Sequence, residues 1–114
     1  MWIMISGPYT SGAADEEARR RNLRVMNDAA LLVFRLGHVP IIGVNLALPI
    51  IEAAGPEHFD ELMMPISLAA ADRCDAVLRV GGPSVGADQE VERFRARGLP
   101  VFSAVQQIAP APRV

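Results

Sequence analysis

The stretch GGPSVGADQE, residues 81–90, places carboxylates where a glycine-rich turn would suit a phosphate. Its glycines let a ligand approach the backbone closely, and the helix expected to follow holds Asp88 and Glu90 in its first turn. Asp88 is interpreted as a residue that stabilises the helix start. Glu90 lies one turn after Gly86, so its side chain can point back over the loop, where an ionised carboxylate can attack the anomeric carbon of a sugar. A phosphate would be repelled there and would have to sit beside Glu90, on Ser84 and Gly86.

A second glycine-rich turn, SGPYTSG at residues 6–12, also follows an apolar run. The hydroxyls of Ser6, Thr10 and Ser11 and a helix N-terminus suit an anion, although the turn matches neither a Walker A loop nor a dinucleotide fingerprint. Tyr9 either stacks on or hydrogen-bonds a ligand, or only covers the strand edge. Thr10 and Ser11 are either ligand contacts or helix caps.

No metal site or cofactor is expected, because Cys74, His38 and His58 are not spaced as metal ligands. A lone cysteine before an apolar run is interpreted as a buried hydrophobe in a reducing compartment. With 114 residues, a net charge of −2 and 51% hydrophobic residues, the chain suits one domain and gives no reason to bind nucleic acid or membrane. We therefore expect a cytoplasmic protein whose partner is a small molecule.

The apolar pattern predicts four strands that alternate with helices, in the order β-α-β-α-β-α-β. The strands are predicted at 2–6, 38–42, 76–80 and 101–105, and Pro40 places the second at a sheet edge or at its own start. A long helix over 11–37 stops at Gly37, a second over 59–73 is kinked or broken at Pro65, and a third covers 87–97. Residues 43–57, rich in glycine and proline, are predicted as a long loop with one helical turn.

This alternation predicts a three-layer α/β/α sandwich with a parallel sheet, Rossmann-like or flavodoxin-like. Residues 1–107 are expected to form one domain, followed by a loosely ordered C-terminal tail at 108–114. Parallel strands end at the same edge of a sheet, so the turns after the first and third strands should flank one crevice.

The segments SGPYTSG, GHVPIIG and CDAVLRVGGPSVGADQEVERFRARGLPVF together resemble the nucleoside 2-deoxyribosyltransferase-like superfamily, closest to its small bacterial DUF4406 members. The resemblance covers nearly the whole chain and is most specific over 74–101. It implies that Glu90 is a nucleophile that forms a covalent sugar adduct. It further implies that Ser84 and Gly86 hold a 5′-phosphate, and that Gly7 and Tyr9 bind substrate. Asp75 matches an acid with either a substrate contact or a capping role.

The sequence departs from this superfamily in its second acid, which helps to orient the sugar or handle the base. The matching place falls near Ile66 or Ser67, neither acidic, and Asp60, Glu61 and Asp72 are the substitutes nearby. Relatives also carry an aspartate where Ser84 stands, or an arginine where Thr10 stands.

Two functions follow from these patterns. The first is a deoxyribosyltransferase or hydrolase that breaks the N-glycosidic bond of a nucleoside or nucleoside 5′-monophosphate. The second is a non-catalytic nucleotide or sugar-phosphate binding module, favoured by the missing acid. A homo-oligomer, dimer or larger, is expected through the long first helix and residues 44–51, although the latter are equally suited to burial in the chain's own core.

Overall fold

A four-stranded, all-parallel sheet forms the centre of the molecule in the computed structural model, which describes residues 1–112. Its strands are β1 (Trp2–Ser6), β2 (Val39–Ile41), β3 (Ala76–Arg79) and β4 (Val101–Phe102). They are arranged in the order β2-β1-β3-β4, which is the start of the flavodoxin-like strand order. Pro40 lies in the edge strand β2, as predicted, where its missing N–H removes no inner ladder bond.

Four helices cover the sheet and complete the α/β sandwich predicted from the sequence. They are α1 (Glu16–Arg35), α2 (Gly43–Ala54), α3 (Phe59–Ala71) and α4 (Val85–Ala96), with short 3₁₀ helices at Pro56–His58 and Val105–Gln107. Alternate residues of β1 face opposite sides: Ile3 and Ile5 pack in one apolar cluster with α1, whereas Met4 packs in another with Phe94 of α4. No helix in the described part of the chain combines the length and apolar character needed to cross a membrane.

Helix α1 begins later than the sequence predicted, at a charged cap. Asp15 is the N-cap, and its Oδ1 accepts a hydrogen bond from the Ala18 amide at 2.8 Å. Thr10 and Ser11 are therefore not the caps of this helix. At the other end Gly37 has a φ of 90°, the left-handed conformation expected at its predicted position after the helix.

The prediction of a loop over residues 43–57 was wrong, because α2 runs from Gly43 to Ala54 with Pro49 inside it. Val44, Ala47 and Ile51 recur at helical spacing and are buried in the core. Burial of this stripe offsets the backbone hydrogen bond that Pro49 cannot donate. Pro65 likewise lies inside a continuous α3 and does not break it.

The C-terminal segment, predicted as a loose tail, packs against the amino end of the sheet over its first residues. Ile108 is a buried member of the core cluster that contains α1. The carbonyl of Ala109 contacts His38 Nε2 at 2.8 Å, and the Ala111 amide donates to the Leu36 carbonyl at 2.8 Å. Residues 113 and 114 lie outside the described part of the chain.

Candidate functional site

A cavity of about 230 Å³ opens where β1 and β3 end, between the two glycine-rich turns. This confirms that both turns flank one crevice. The first turn contributes Gly7, Tyr9, Thr10 and Ser11, α2 contributes Val44, α3 contributes Phe59, Asp60, Met63, Met64 and Ser67, and the second turn with α4 contributes Ser84, Gly86, Ala87 and Glu90. Of the residues implied by the resemblance, Gly7, Tyr9, Ser84, Gly86 and Glu90 are thus brought together.

The Glu90 carboxylate is held inside this cavity by two serine hydroxyls. Ser6, the last residue of β1, donates to Glu90 Oε1 at 2.7 Å, and Ser67 of α3 donates to Glu90 Oε2. Glu90 itself is only 7% exposed and lies in the second turn of α4, because the helix begins at Val85 rather than at 87. Three separate elements therefore fix one carboxylate.

Burial raises the pKa of Glu90 above its usual value of 4.5, because desolvation disfavours the charged form. The hydroxyls of Ser67 and Ser6 and the positive charge of Arg79 act in the opposite direction and lower this pKa. The net effect is a carboxyl group that gives up its proton less readily than an exposed glutamate. The Ser6 and Ser67 hydroxyls donate hydrogen bonds to it once it is ionised.

Ser6 can serve either protonation state of Glu90. Its hydroxyl has one proton and two acceptors within reach, Glu90 Oε1 at 2.7 Å and the Ala87 carbonyl oxygen at 3.2 Å. When Glu90 is ionised, Ser6 donates to the carboxylate. When Glu90 is protonated at Oε1, it can donate to Ser6, which then donates to the Ala87 carbonyl. Both states therefore leave Ser6 paired.

The turn before α4 is shaped by its glycines and its cap. Ser84 is the N-cap, and its Oγ accepts from the Ala87 amide at 3.1 Å and from Ser11 Oγ at 3.3 Å. Gly81 has a φ of 75°, which favours glycine. A Cβ at Gly86 would lie 3.2 Å from Met64 Sδ, so glycine here lets α4 approach α3 beside the cavity.

Arg79 braces this turn from outside the cavity. Its guanidinium donates to the carbonyls of Val80 and Gly82 and lies 3.5 Å from Asp88 Oδ1. Asp88 occupies the first turn of α4, as predicted, and is exposed. The acid that the sequence placed beside Glu90 therefore faces Arg79 instead of lining the cavity.

Tyr9 forms part of an aromatic wall. Its ring stacks on Phe59 with centroids 6.4 Å apart and an interplanar angle of 16°. Its carbonyl accepts from Asn22 Nδ2 at 2.8 Å, which ties the first turn to α1. The ring packs against the core cluster and also lines the cavity, so covering the strand edge and contacting a ligand are compatible roles.

Apart from Asp60, the residues that α3 contributes to the cavity wall were missed from the sequence. Phe59, Met63 and Ser67 follow one another at four-residue spacing, and Asp60 and Met64 lie beside them at the same spacing. Residues at i and i+4 share one face of a helix, so a polar Ser67 within an apolar stripe was the available signal. The predicted interruption at Pro65 concealed that face.

Asp60 is the one proposed substitute acid that reaches the cavity. Glu61 contacts His58 Nδ1 at 2.8 Å, and Asp72 pairs with Arg93 at 2.7 Å, both away from the lining. Asp60 has no ion-pair partner within residues 1–112. The cavity therefore contains a second, exposed carboxylate on α3 in addition to the buried Glu90.

Asp75, expected as a possible substrate contact, lies at the opposite edge of the sheet. It immediately precedes β3, so it belongs to the amino ends of the strands rather than their carboxyl ends. Its Oδ2 accepts from the Trp2 amide at 2.8 Å. This bond supports the capping role that the sequence left open and does not bring Asp75 to the cavity.

Cys74 and the histidines form no metal-binding cluster in the described residues. No group of three or more histidine, cysteine, aspartate or glutamate side chains there is arranged to hold a metal ion. Cys74 is buried, and its burial together with the nearby Asp75 carboxylate raises the pKa of the thiol to about 11. The thiol is therefore protonated at neutral pH and is a poor nucleophile.

No protein-family model matches the sequence, and no curated protein matches it at a significant level.

Proposed function

We propose that this chain breaks the N-glycosidic bond of a nucleoside or nucleoside 5′-monophosphate, with Glu90 as the nucleophile. The observation that carries the proposal is the buried Glu90 carboxylate, gripped by Ser6 and Ser67 inside a cavity at the carboxyl ends of two parallel strands. Ligands of open α/β sheets bind at that edge. The cavity volume of about 230 Å³ lies below the roughly 300–1,000 Å³ of typical small-molecule pockets, which favours a ligand no larger than one nucleoside over a dinucleotide.

The proposed reaction has two displacements at the anomeric carbon. A Glu90 oxygen forms a bond to C1′ while the C1′–N bond breaks, and its electron pair stays on the departing base. Water or a second base then attacks C1′, releases the sugar product and regenerates the carboxylate. The serine hydroxyls position the carboxylate and stabilise the charge that returns when the adduct is resolved.

Asp60 is the residue proposed to assist the departing base. A neutral nucleobase leaves more easily when its nitrogen is protonated or hydrogen-bonded, and Asp60 is the second carboxyl group in the cavity lining. It lies one helical turn before Met64 and two turns before Ser67, so it reaches the cavity from a different part of α3 than the acid in the superfamily. It is exposed as well as part of the cavity lining.

A non-catalytic binding module for nucleotides or sugar phosphates is the second candidate. It is favoured by the state of Glu90: both oxygens are engaged by hydroxyls, and burial raises its pKa. A protonated carboxyl group can bind a sugar hydroxyl but does not attack carbon. Release of free base distinguishes the two candidates, because a binding module stabilises the fold with ligand and releases none.

The test replaces Glu90 with glutamine, which preserves its shape. We expect Glu90→Gln to abolish both base release and the covalent sugar adduct. With a panel of nucleosides and nucleotides, chromatography measures the released base and intact-mass spectrometry detects the adduct. The matched control is Glu92→Gln, an exposed glutamate of the same helix, which should leave both signals unchanged. Full activity in Glu90→Gln would refute the mechanism. A melting temperature of the wild type that rises with ligand, without release of base, would support the binding module.

We also propose that the chain self-associates through α1 and α2. Leu31 and Phe34 on α1 and Leu46 and Ile50 on α2 are exposed, and Phe34 is 65% accessible. The Asn45 side chain donates to Asn27 at 2.9 Å and joins the two helices. Exposed apolar side chains on two joined helices favour a protein–protein contact, whereas another face of α2 is buried in the chain's own core.

A further inference from the structure

The cavity lining has a one-sided charge. It holds two carboxyl groups, Asp60 and Glu90, and within residues 1–112 it includes no lysine, arginine or histidine. A phosphorylated sugar would bring negative charge next to these acids with no cation to balance it. A positively charged ligand would instead gain from both carboxylates, so the sign of the lining distinguishes between classes of substrate.

The arginine whose charge acts on the pKa of Glu90 is already engaged by other groups. Arg79 lowers the pKa of Glu90 through its charge, but its guanidinium donates to the carbonyls of Val80 and Gly82 and approaches Asp88. It is not part of the cavity wall. Its guanidinium therefore contacts the turn and Asp88 rather than the cavity.

The neutral groups that would have to bind a phosphate already take part in hydrogen bonds within the protein. Ser11 donates to Ser84 Oγ at 3.3 Å, and Ser84 Oγ accepts from the Ala87 amide at 3.1 Å. Asp88 already places a carboxylate in the first turn of α4, where it offsets the positive end of the helix dipole. These groups leave the α4 N-terminus less suited to a dianionic phosphate.

The apolar walls suit a flat ring, including a charged one. Tyr9 and Phe59 present stacked aromatic rings, and Met63 and Met64 add two thioethers on the α3 side. Aromatic faces attract cations through the ring quadrupole, and methionine sulfur packs favourably against aromatic edges. The wall and the two carboxylates thus favour the same kind of ligand, an aromatic cation.

We propose that the cavity selects N-glycosides whose base is a cationic aromatic ring, such as a pyridinium, and whose sugar carries no phosphate. This inference rests on the proposed function. In such a substrate the Glu90 oxygen bonds to C1′ as the C1′–N⁺ bond breaks, and the electron pair neutralises the ring nitrogen. The base leaves without a proton, so no general acid is required. Water then cleaves the ester, which yields the free sugar, the Glu90 carboxylate and one proton.

The selectivity can be measured with ligands that cannot be cleaved. A pyridine joined to ribose through carbon is neutral, and its N-methyl derivative is a cation of nearly the same shape. We expect calorimetry on the wild type to show that the cation binds roughly tenfold more tightly than the neutral compound, because exposed Asp60 and buried Glu90 both attract it. The 5′-phosphate of the cation should bind about tenfold more weakly than the unphosphorylated cation. Equal or tighter binding of the neutral or phosphorylated compound, or no binding of any, would overturn the inference.

Asp60→Asn tests whether the acidic lining causes the preference. In Asp60→Asn the preference for the cation over the neutral compound should fall to a few-fold. The control is Glu61→Gln, because Glu61 is an exposed acid next to Asp60 that contacts His58. This control should keep the wild-type ratio of the two affinities. An unchanged ratio in Asp60→Asn would contradict the role of this carboxylate. Cleavage of a pyridinium N-riboside is assayed separately. Cation-selective binding without cleavage refutes the proposed function alone, whereas cleavage without cation selectivity refutes only this inference.

Discussion

The hydroxyl of Ser67 is expected to control how easily Glu90 ionises, and its removal in Ser67→Ala is the most direct test of the site. A hydrogen bond to a charged group contributes about 1.5–3 kcal/mol, against about 0.5–1.5 kcal/mol for a neutral pair. Loss of this donor should therefore disfavour ionised Glu90 by about 1–1.5 kcal/mol relative to the protonated form. That difference corresponds to about a tenfold fall in the ionisation constant.

The sign of the effect on stability follows from the raised pKa of Glu90. A carboxyl group with a higher pKa in the folded state binds its proton more tightly there, so the folded state loses stability as pH rises from below 4.5 through the folded pKa. Ser67→Ala raises that pKa further and enlarges the loss. The deficit of the variant relative to wild type should thus grow by about 1–1.5 kcal/mol as pH rises through the folded pKa of Glu90 in wild type and then in the variant.

Urea denaturation of both proteins across a pH series measures this deficit. Ser103→Ala serves as the control, because Ser103 is exposed and pairs with Gln107 rather than with an ionisable group. Its deficit should stay constant with pH. A deficit in Ser67→Ala that is constant, or that shrinks as pH rises, would show that Ser67 does not stabilise the carboxylate.

Other consequences of the structure can be tested in the same way. Glu90→Gln should gain stability relative to wild type as pH rises, measured by urea denaturation, and a gain at low pH only would contradict the raised pKa. Gly43→Ala should lose about 1–3 kcal/mol of unfolding free energy, because its Cβ would lie 2.8 Å from Ser67 Cβ; wild-type stability would refute this contact. Ser84→Ala should lose about 1 kcal/mol through its N-cap, seen as a lower thermal midpoint. Phe34→Ser combined with Leu46→Ser should reduce the mass measured by light scattering to that of one chain, and an unchanged oligomer would place the contact elsewhere.

The sequence was a good guide where local patterns determine the structure. β1 was predicted at its observed bounds, and Gly37 was placed correctly after α1. The crevice followed from topology, because parallel strands that end in glycine-rich turns must bring those turns to one edge. The position of Glu90 near Gly7 and Tyr9 could therefore be predicted from the sequence.

Tertiary packing determined what local patterns did not reveal. Gly43 and Pro49 argue against a helix by propensity, yet close packing of α2 on Ser67 overrides that preference. Ser67 was noted only as a place where an acid was missing, because its contact with Glu90 spans two helices. Asp75 resembled a site residue in sequence, but its position before β3 places it at the far edge of the sheet.

The hydrogen bonds that Ser6 and Ser67 donate to Glu90 also limit which part of this site can be grafted onto another protein. Residues 81–90, which include Glu90 in the second turn of α4, form a short contiguous segment, but one partner lies 84 residues earlier in the chain and the other 23 residues earlier. A designer who grafted residues 81–90 onto a different scaffold would move the carboxylate without either hydroxyl. The transferable unit is a junction of β1, α3 and α4, so the chemistry can be copied only together with the sandwich that assembles it.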